Sequence, residues 1–135
     1  MNSINNKLEQ EQVRIIIVDD DQLTILLTTK ILLNYDSSLE VDHFNSGKAA
    51  IEFVQNNELL ASTIILLDID MPFYSGWDFL NDFTKLTTIC KVFMFSSSID
   101  IRDIERSKQY KKVLGFISKP LNAQKIQSFL ADAFL

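Results

Sequence analysis

Four aliphatic residues in a row, Ile64-Ile65-Leu66-Leu67, run directly into Asp68, and Pro72 closes the stretch. An apolar run without polar alternation marks a strand covered on both faces, the usual state of a strand inside a parallel sheet. Three more runs repeat the pattern of an apolar strand ending in polar residues: Val13 to Val18 before Asp19-Asp20-Asp21, Lys91 to Phe95 before Ser96-Ser97-Ser98, and Val113 to Ile117 before Ser118-Lys119-Pro120. Glu40 to Phe44 instead alternates, as an edge strand does. Between these runs the apolar period becomes helical. Gln22 to Tyr35 puts Leu23, Leu26, Leu27 and Ile31 on one expected inner face. Ser46 is the expected N-cap of a helix reaching about Asn57, with Ala50, Ile51 and Val54 inward. Ser75-Gly76 opens a third helix through Trp77, Leu80 and Phe83, and a fourth spans roughly Ile99 to Tyr110. The fourth is rich in charge and poor in apolar residues, so the loosest packing is expected there. The last, about Asn122 to Phe134, lines up Ile126, Phe129, Leu130, Ala133 and Phe134.

Strands alternating with helices predict an α/β fold, and right-handed crossovers leave few arrangements. The best fit is a doubly wound five-stranded parallel sheet in the order 2-1-3-4-5 with five helices. A chain of 135 residues suits one domain with a core of its own. Residues 1–12 are polar and lack the apolar centre of a secretory signal; a flexible tail is expected there, with the folded domain at 13–135. No apolar run approaches the ~18 residues of a membrane span, which makes the cytoplasm the expected address. The single cysteine, Cys90, excludes an internal disulfide and a cysteine zinc cage. Thirteen basic against 18 acidic residues give a net charge of -5, which repels phosphate backbones and argues against nucleic acid as a partner.

Charge changes the picture most at the strand ends. In an open parallel sheet, chemistry gathers outside the carboxyl ends of the strands. The predicted order places Asp19 and Asp20 beside Asp68. Carboxylates crowded in this way raise one another's pKa unless a cation joins them. Mg2+ is the expected guest, being a hard ion that takes one or two carboxylates and finishes its shell on water and phosphate. Lys119 reads either as a surface lysine or, held extended before Pro120, as a cation reaching Asp68 or a phosphate on it. Ser96 reads either as a helix cap or as a hydroxyl facing a phosphoryl oxygen.

Together, Val18-Asp19-Asp20, the L-D-I-D-M-P stretch around Asp68, Ser96 and Lys119-Pro120 resemble the receiver domain of two-component response regulators, in the family's order and spacing and over essentially the whole chain after the tail. The resemblance implies a flavodoxin-like fold of the stand-alone chemotaxis type. It also implies transfer of a phosphoryl group from a sensor histidine kinase or phosphotransfer protein to Asp68. Asp20 and Asp68 would then coordinate Mg2+ directly, Asp70 through its backbone carbonyl and Asp19 through water. Ser96 and Lys119 would contact the phosphoryl oxygens, and Lys119-Pro120 would be a cis junction. Asp70 and Ser98 resemble positions that tune the lifetime of the acyl phosphate. Phe116 falls where the family carries an aromatic switch, and a plain core phenylalanine is the other reading. Such a domain would catalyse its own phosphorylation and dephosphorylation without being a turnover enzyme. No effector segment follows the last helix, so output through a protein surface is expected, at the fourth helix, fifth strand and fifth helix. A strand ending in D-x-D, then a serine, then a lysine also resembles the haloacid-dehalogenase phosphatases. Against that alternative, Pro72 replaces their usual threonine or valine, and the acidic pair precedes the lysine instead of following it.

Overall fold

The computed structural model describes residues 12–134. Its elements are β1 (Arg14–Val18), α1 (Gln22–Tyr35), β2 (Glu40–Phe44), α2 (Gly47–Asn56), β3 (Thr63–Leu67), α3 (Gly76–Phe83), β4 (Lys91–Ser96), α4 (Ile101–Ser107), β5 (Val113–Ser118) and α5 (Ala123–Phe134). The five strands form one parallel sheet in the order β2-β1-β3-β4-β5, as expected. Apart from Gln12, the expected tail lies outside the described residues.

Alternate residues of the central strands feed two cores. Ile16, Val18, Ile65, Leu67, Val92 and Met94 pack with Ala50, Ile51 and Val54 of α2 and Phe79, Leu80 and Phe83 of α3. Ile15, Ile17, Ile64, Leu66, Phe93 and Phe95 pack on the other face with Ile25 and Leu32 of α1 and Ile126, Phe129 and Ala133 of α5. β3 is buried along its whole length, which explains its unbroken apolar run. Each of these aliphatic side chains contributes roughly 1.5–3 kcal/mol by leaving water, enough to fix the register of every strand.

Helix starts follow their caps. Ser46 accepts from the amide of Ala49, and Ser75 forms a reciprocal capping box with Asp78. Asp21 caps α1 by accepting from the amide of Leu23. The fourth helix is shorter than expected, because Asp100 accepts from the amide of Arg102 and starts it at Ile101, not near Ile99. It buries only Ser107, as its charged sequence foretold.

The expected inner face of α1 holds only at Ile31, which is half-buried against the core. Ile25, Thr28 and Leu32 are buried, whereas Leu23, Leu26 and Leu27 are 61%, 54% and 48% exposed. Both sets obey a helical period, and an apolar residue on every side leaves periodicity unable to choose. On α5, Ile126, Phe129 and Ala133 are buried as expected, but Leu130 is half-buried and Phe134 lies exposed under the Lys91 ammonium.

Candidate acidic site at the carboxyl rim

Parallel pairing places the site residues before any side chain is considered. The ladder continues one step past the strand ends: the Asp68 amide donates to the Val18 carbonyl at 2.9 Å, and the Lys119 amide donates to the Ser96 carbonyl at 2.9 Å. Four strand ends thus deliver Asp19, Asp68, Ser96 and Lys119 to one edge. Gly76 lets α3 begin directly behind them, since a Cβ there would lie 2.5 Å from the Asp68 carbonyl oxygen.

Carboxylate oxygens of Asp19, Asp20 and Asp68 all lie within 4.8 Å of one another, with Asp19 and Asp68 buried and Asp20 exposed. It is the one such group of metal-ligating side chains among the described residues, and His43, exposed on β2, is not part of it. Three hard oxygen donors suit Mg2+ and offer nothing to a soft metal. Asp70 is different: its side chain is exposed, and its backbone favours the ionised form of Asp68, the smallest influence on that pKa.

Lys119 neutralises part of this charge. Its Nζ donates to Asp19 Oδ2 at 2.6 Å and lies 3.4 Å from Asp68 Oδ1, while Asp19 Oδ1 accepts from the Asp21 amide at 2.9 Å. The reading of Lys119 as an ordinary surface lysine is therefore overturned. Burial raises the pKa of Asp68 to about 6; Lys119 opposes the rise and Asp19 adds to it. The folded protein thus holds this proton more tightly than the unfolded chain. Asp68 contributes stability that is present below pH 3.8 and lost as pH rises through about 6. Above that value the ionised carboxylate predominates. We expect the Asp68 carboxyl carbon to titrate near pH 6 in metal-free protein and at lower pH with Mg2+, read by 13C NMR. An unchanged midpoint with Mg2+ would detach Asp68 from the metal site.

Exposed Asp20 offers a second test. Asp20→Asn removes one repulsive charge, so the metal-free variant should melt slightly higher than the parent while its stabilisation by millimolar Mg2+ is blunted. A variant that melts lower and responds normally to Mg2+ would exclude Asp20 from the site.

Ser96 is buried at the end of β4, where its hydroxyl donates to the Ser98 carbonyl at 2.9 Å and accepts from the Ser98 amide. It caps no helix. Phe116 is half-buried on β5 and lines a groove with Ile99, Lys125 and Phe129. Lys119-Pro120 is a cis junction, as expected. Trp77 packs beneath Arg106 and against Tyr110.

Two features escaped sequence reasoning. Phe73, in the loop after Asp68, is fully exposed with φ at 67°, a left-handed backbone that bulky residues rarely adopt. Lys125 on α5 reaches back to the loop that carries Lys119. Neither position belongs to a motif or breaks a period.

The model of the response regulator receiver domain family matches residues 15–131. No curated protein is similar enough in sequence to match. Among solved structures, a response regulator receiver protein from Dyadobacter fermentans is 30% identical, covers 90% of this chain and 97% of its own, and superposes with a TM-score of 0.78. Chemotaxis protein CheY4 of Vibrio cholerae is 18% identical over 92% of this chain and 100% of that one, at a TM-score of 0.77. A response regulator from Colwellia psychrerythraea is 23% identical over 90% and 95%, at 0.69. The last two show likeness of fold.

Proposed function

This chain belongs to the response regulator receiver domain family, and we propose that it carries its signal as a phosphoryl group on Asp68. The haloacid-dehalogenase alternative finds no support in the comparisons. The observation that carries the proposal is the meeting of Asp19, Asp20, Asp68 and Lys119 at one rim, with Asp68 ionised at neutral pH and partly open to an incoming phosphorus.

In this reading the donor is a phosphohistidine on a sensor histidine kinase or phosphotransfer protein in the cytoplasm. An Asp68 carboxylate oxygen attacks phosphorus. The phosphorus–nitrogen bond breaks, and its electron pair returns to the imidazole nitrogen. Mg2+ would be held by Asp20, Asp68 and the Asp70 backbone carbonyl, with Asp19 acting through water; when bound it supplies positive charge for the phosphoryl oxygens. Lys119 Nζ shifts from Asp68 to one of those oxygens and keeps Asp19 as its second partner. Leu23, Leu26 and Leu27 on α1, which starts directly after Asp21, and Phe73, in the loop between β3 and α3, leave apolar side chains exposed close in the chain to the cluster. A donor with apolar residues ringed by basic ones fits this arrangement.

Output follows from Ser96. Its hydroxyl gives up Ser98 to bond the phosphoryl group, which draws the start of the α4 segment inward and frees space for Phe116. The face formed by α4, β5 and α5 should therefore change most. Incubation with acetyl phosphate and Mg2+ should add the mass of one phosphoryl group, whereas sustained release of phosphate from p-nitrophenyl phosphate would overturn the assignment in favour of a phosphatase. Beryllofluoride should alter hydrogen exchange on α4, β5 and α5, with Ser96→Ala weakening the change. Changes confined to α1 and α2 would rule out this output face.

A further inference from the structure

Lys119 can serve a phosphoryl group only if its backbone is held still. Its amide is fixed by the Ser96 carbonyl. The carbonyls on either side of it, those of Ser118 at the end of β5 and of Pro120, accept from none of the turn and loop amides among the described residues.

Lys125 fills that gap. Its Nζ donates to the Ser118 carbonyl at 3.0 Å and to the Pro120 carbonyl at 2.9 Å, so one ammonium grips the chain immediately before and immediately after Lys119. The grip is anchored in turn. Asn122 Oδ1 accepts from the Lys125 amide at 2.8 Å, and the Asn122 carbonyl accepts from the Ile126 amide at 3.0 Å, which locks the first turn of α5. Neighbouring Ile126 is completely buried. A cation in a first helical turn opposes the helix dipole, which costs a few tenths of a kcal/mol to about 1 kcal/mol. Two charge-assisted bonds to carbonyls outweigh that cost.

We propose that Lys125 is a positioning residue for phosphoryl transfer: it holds the segment 118–120 so that the Lys119 ammonium stands over Asp19 and Asp68. It touches neither carboxylate and acts through Lys119. Lys125 also lines the groove that contains Phe116 and Ile99, so the element that holds Lys119 is part of the face expected to signal. The kinetic arm of the test rests on the phosphorylation reading above; the spectroscopic arm does not.

Lys125→Met keeps the length of the side chain and removes both bonds. It should slow phosphoryl uptake from acetyl phosphate about tenfold, the loss of one well-placed charge-assisted contact. Mg2+ affinity, which draws on Asp20 and Asp68, should not fall. Lys125→Arg, which keeps a cation able to reach two carbonyls, should restore most of the rate. In a Lys119→Met background, Lys125→Met should slow uptake no further. Equal slowing in both backgrounds, or a parallel fall in Mg2+ affinity, would reduce Lys125 to general support of the fold and overturn the proposal. The metal-free protein supplies the independent arm. The Lys119 ammonium signal in 15N NMR should exchange several-fold faster in Lys125→Met and recover in Lys125→Arg, and an unchanged signal would overturn the proposal as well. Should the parent take up no phosphoryl group at all, the phosphorylation reading fails by itself, and the ammonium signal alone decides the positioning role.

Discussion

Asp68→Asn is expected to abolish phosphoryl uptake. With acetyl phosphate and Mg2+ the parent protein should gain the mass of one phosphoryl group and the variant none. The expected loss is on the order of 10⁴ or more, because an amide oxygen is a far weaker nucleophile than a carboxylate. The fold should survive the change. Burial already pushes the Asp68 pKa to about 6, so the ionised carboxylate is unfavourable to the metal-free structure and a neutral amide of the same shape relieves it. The variant should therefore melt above the parent at neutral pH without metal. A variant that still accepts the phosphoryl group would pass the role to Asp19 or Asp20.

Lys119→Met should give the largest loss of stability. Its ammonium is the cation that pairs with Asp19, whose side chain is 1% exposed, while that of Lys119 is 15% exposed. Removing one partner of a buried pair leaves the other charge uncompensated, at about 3 kcal/mol, the lower end of the usual range because Lys119 retains some contact with water. For a domain of this size that corresponds to a fall in Tm of roughly 10 °C. Mg2+ should recover part of the loss, since a second cation among the same carboxylates replaces the missing charge. Thermal melts with and without Mg2+ would read both effects. A fall that Mg2+ does not reduce would separate the Lys119–Asp19 pair from the metal site.

The two variants move stability in opposite directions for one reason. The rim holds three carboxylates against one ammonium, so losing a negative charge relaxes it and losing the positive charge strains it. Phosphoryl transfer adds further negative charge there, which gives Mg2+ and Lys119 their place in the proposed chemistry.

Much of this was legible in the chain itself. The unbroken run Ile64 to Leu67 announced a strand buried on both faces, because only a strand without a solvent face tolerates four consecutive aliphatic residues. Right-handed crossovers left few strand orders, and the best-fitting one, 2-1-3-4-5, put the Asp19-Asp20 pair beside Asp68 before any coordinate was known. Serines ahead of two helices marked their starts correctly. These features share a cause: they depend on backbone chemistry and on periods that neighbouring residues carry in full.

Tertiary structure alone decided the rest. Nothing in the pattern of α1 says whether Leu26 or Ile25 faces the sheet, because apolar residues surround the helix, and only its packing against the sheet and α5 settles which side is buried. The choice of Asp19 over Asp68 as the closer partner of Lys119, 2.6 Å against 3.4 Å, depends on a side chain crossing between residues a hundred positions apart. The hydrogen bonds of Ser96 to Ser98 and the grip of Lys125 on the carbonyls around Lys119 are likewise invisible in one dimension. The sequence determined which residues would meet at the rim, since strand ends are set by local pattern. Which atoms pair there is a matter of less than an ångström in a shared electrostatic field, and that field exists only once all four strand ends are in place.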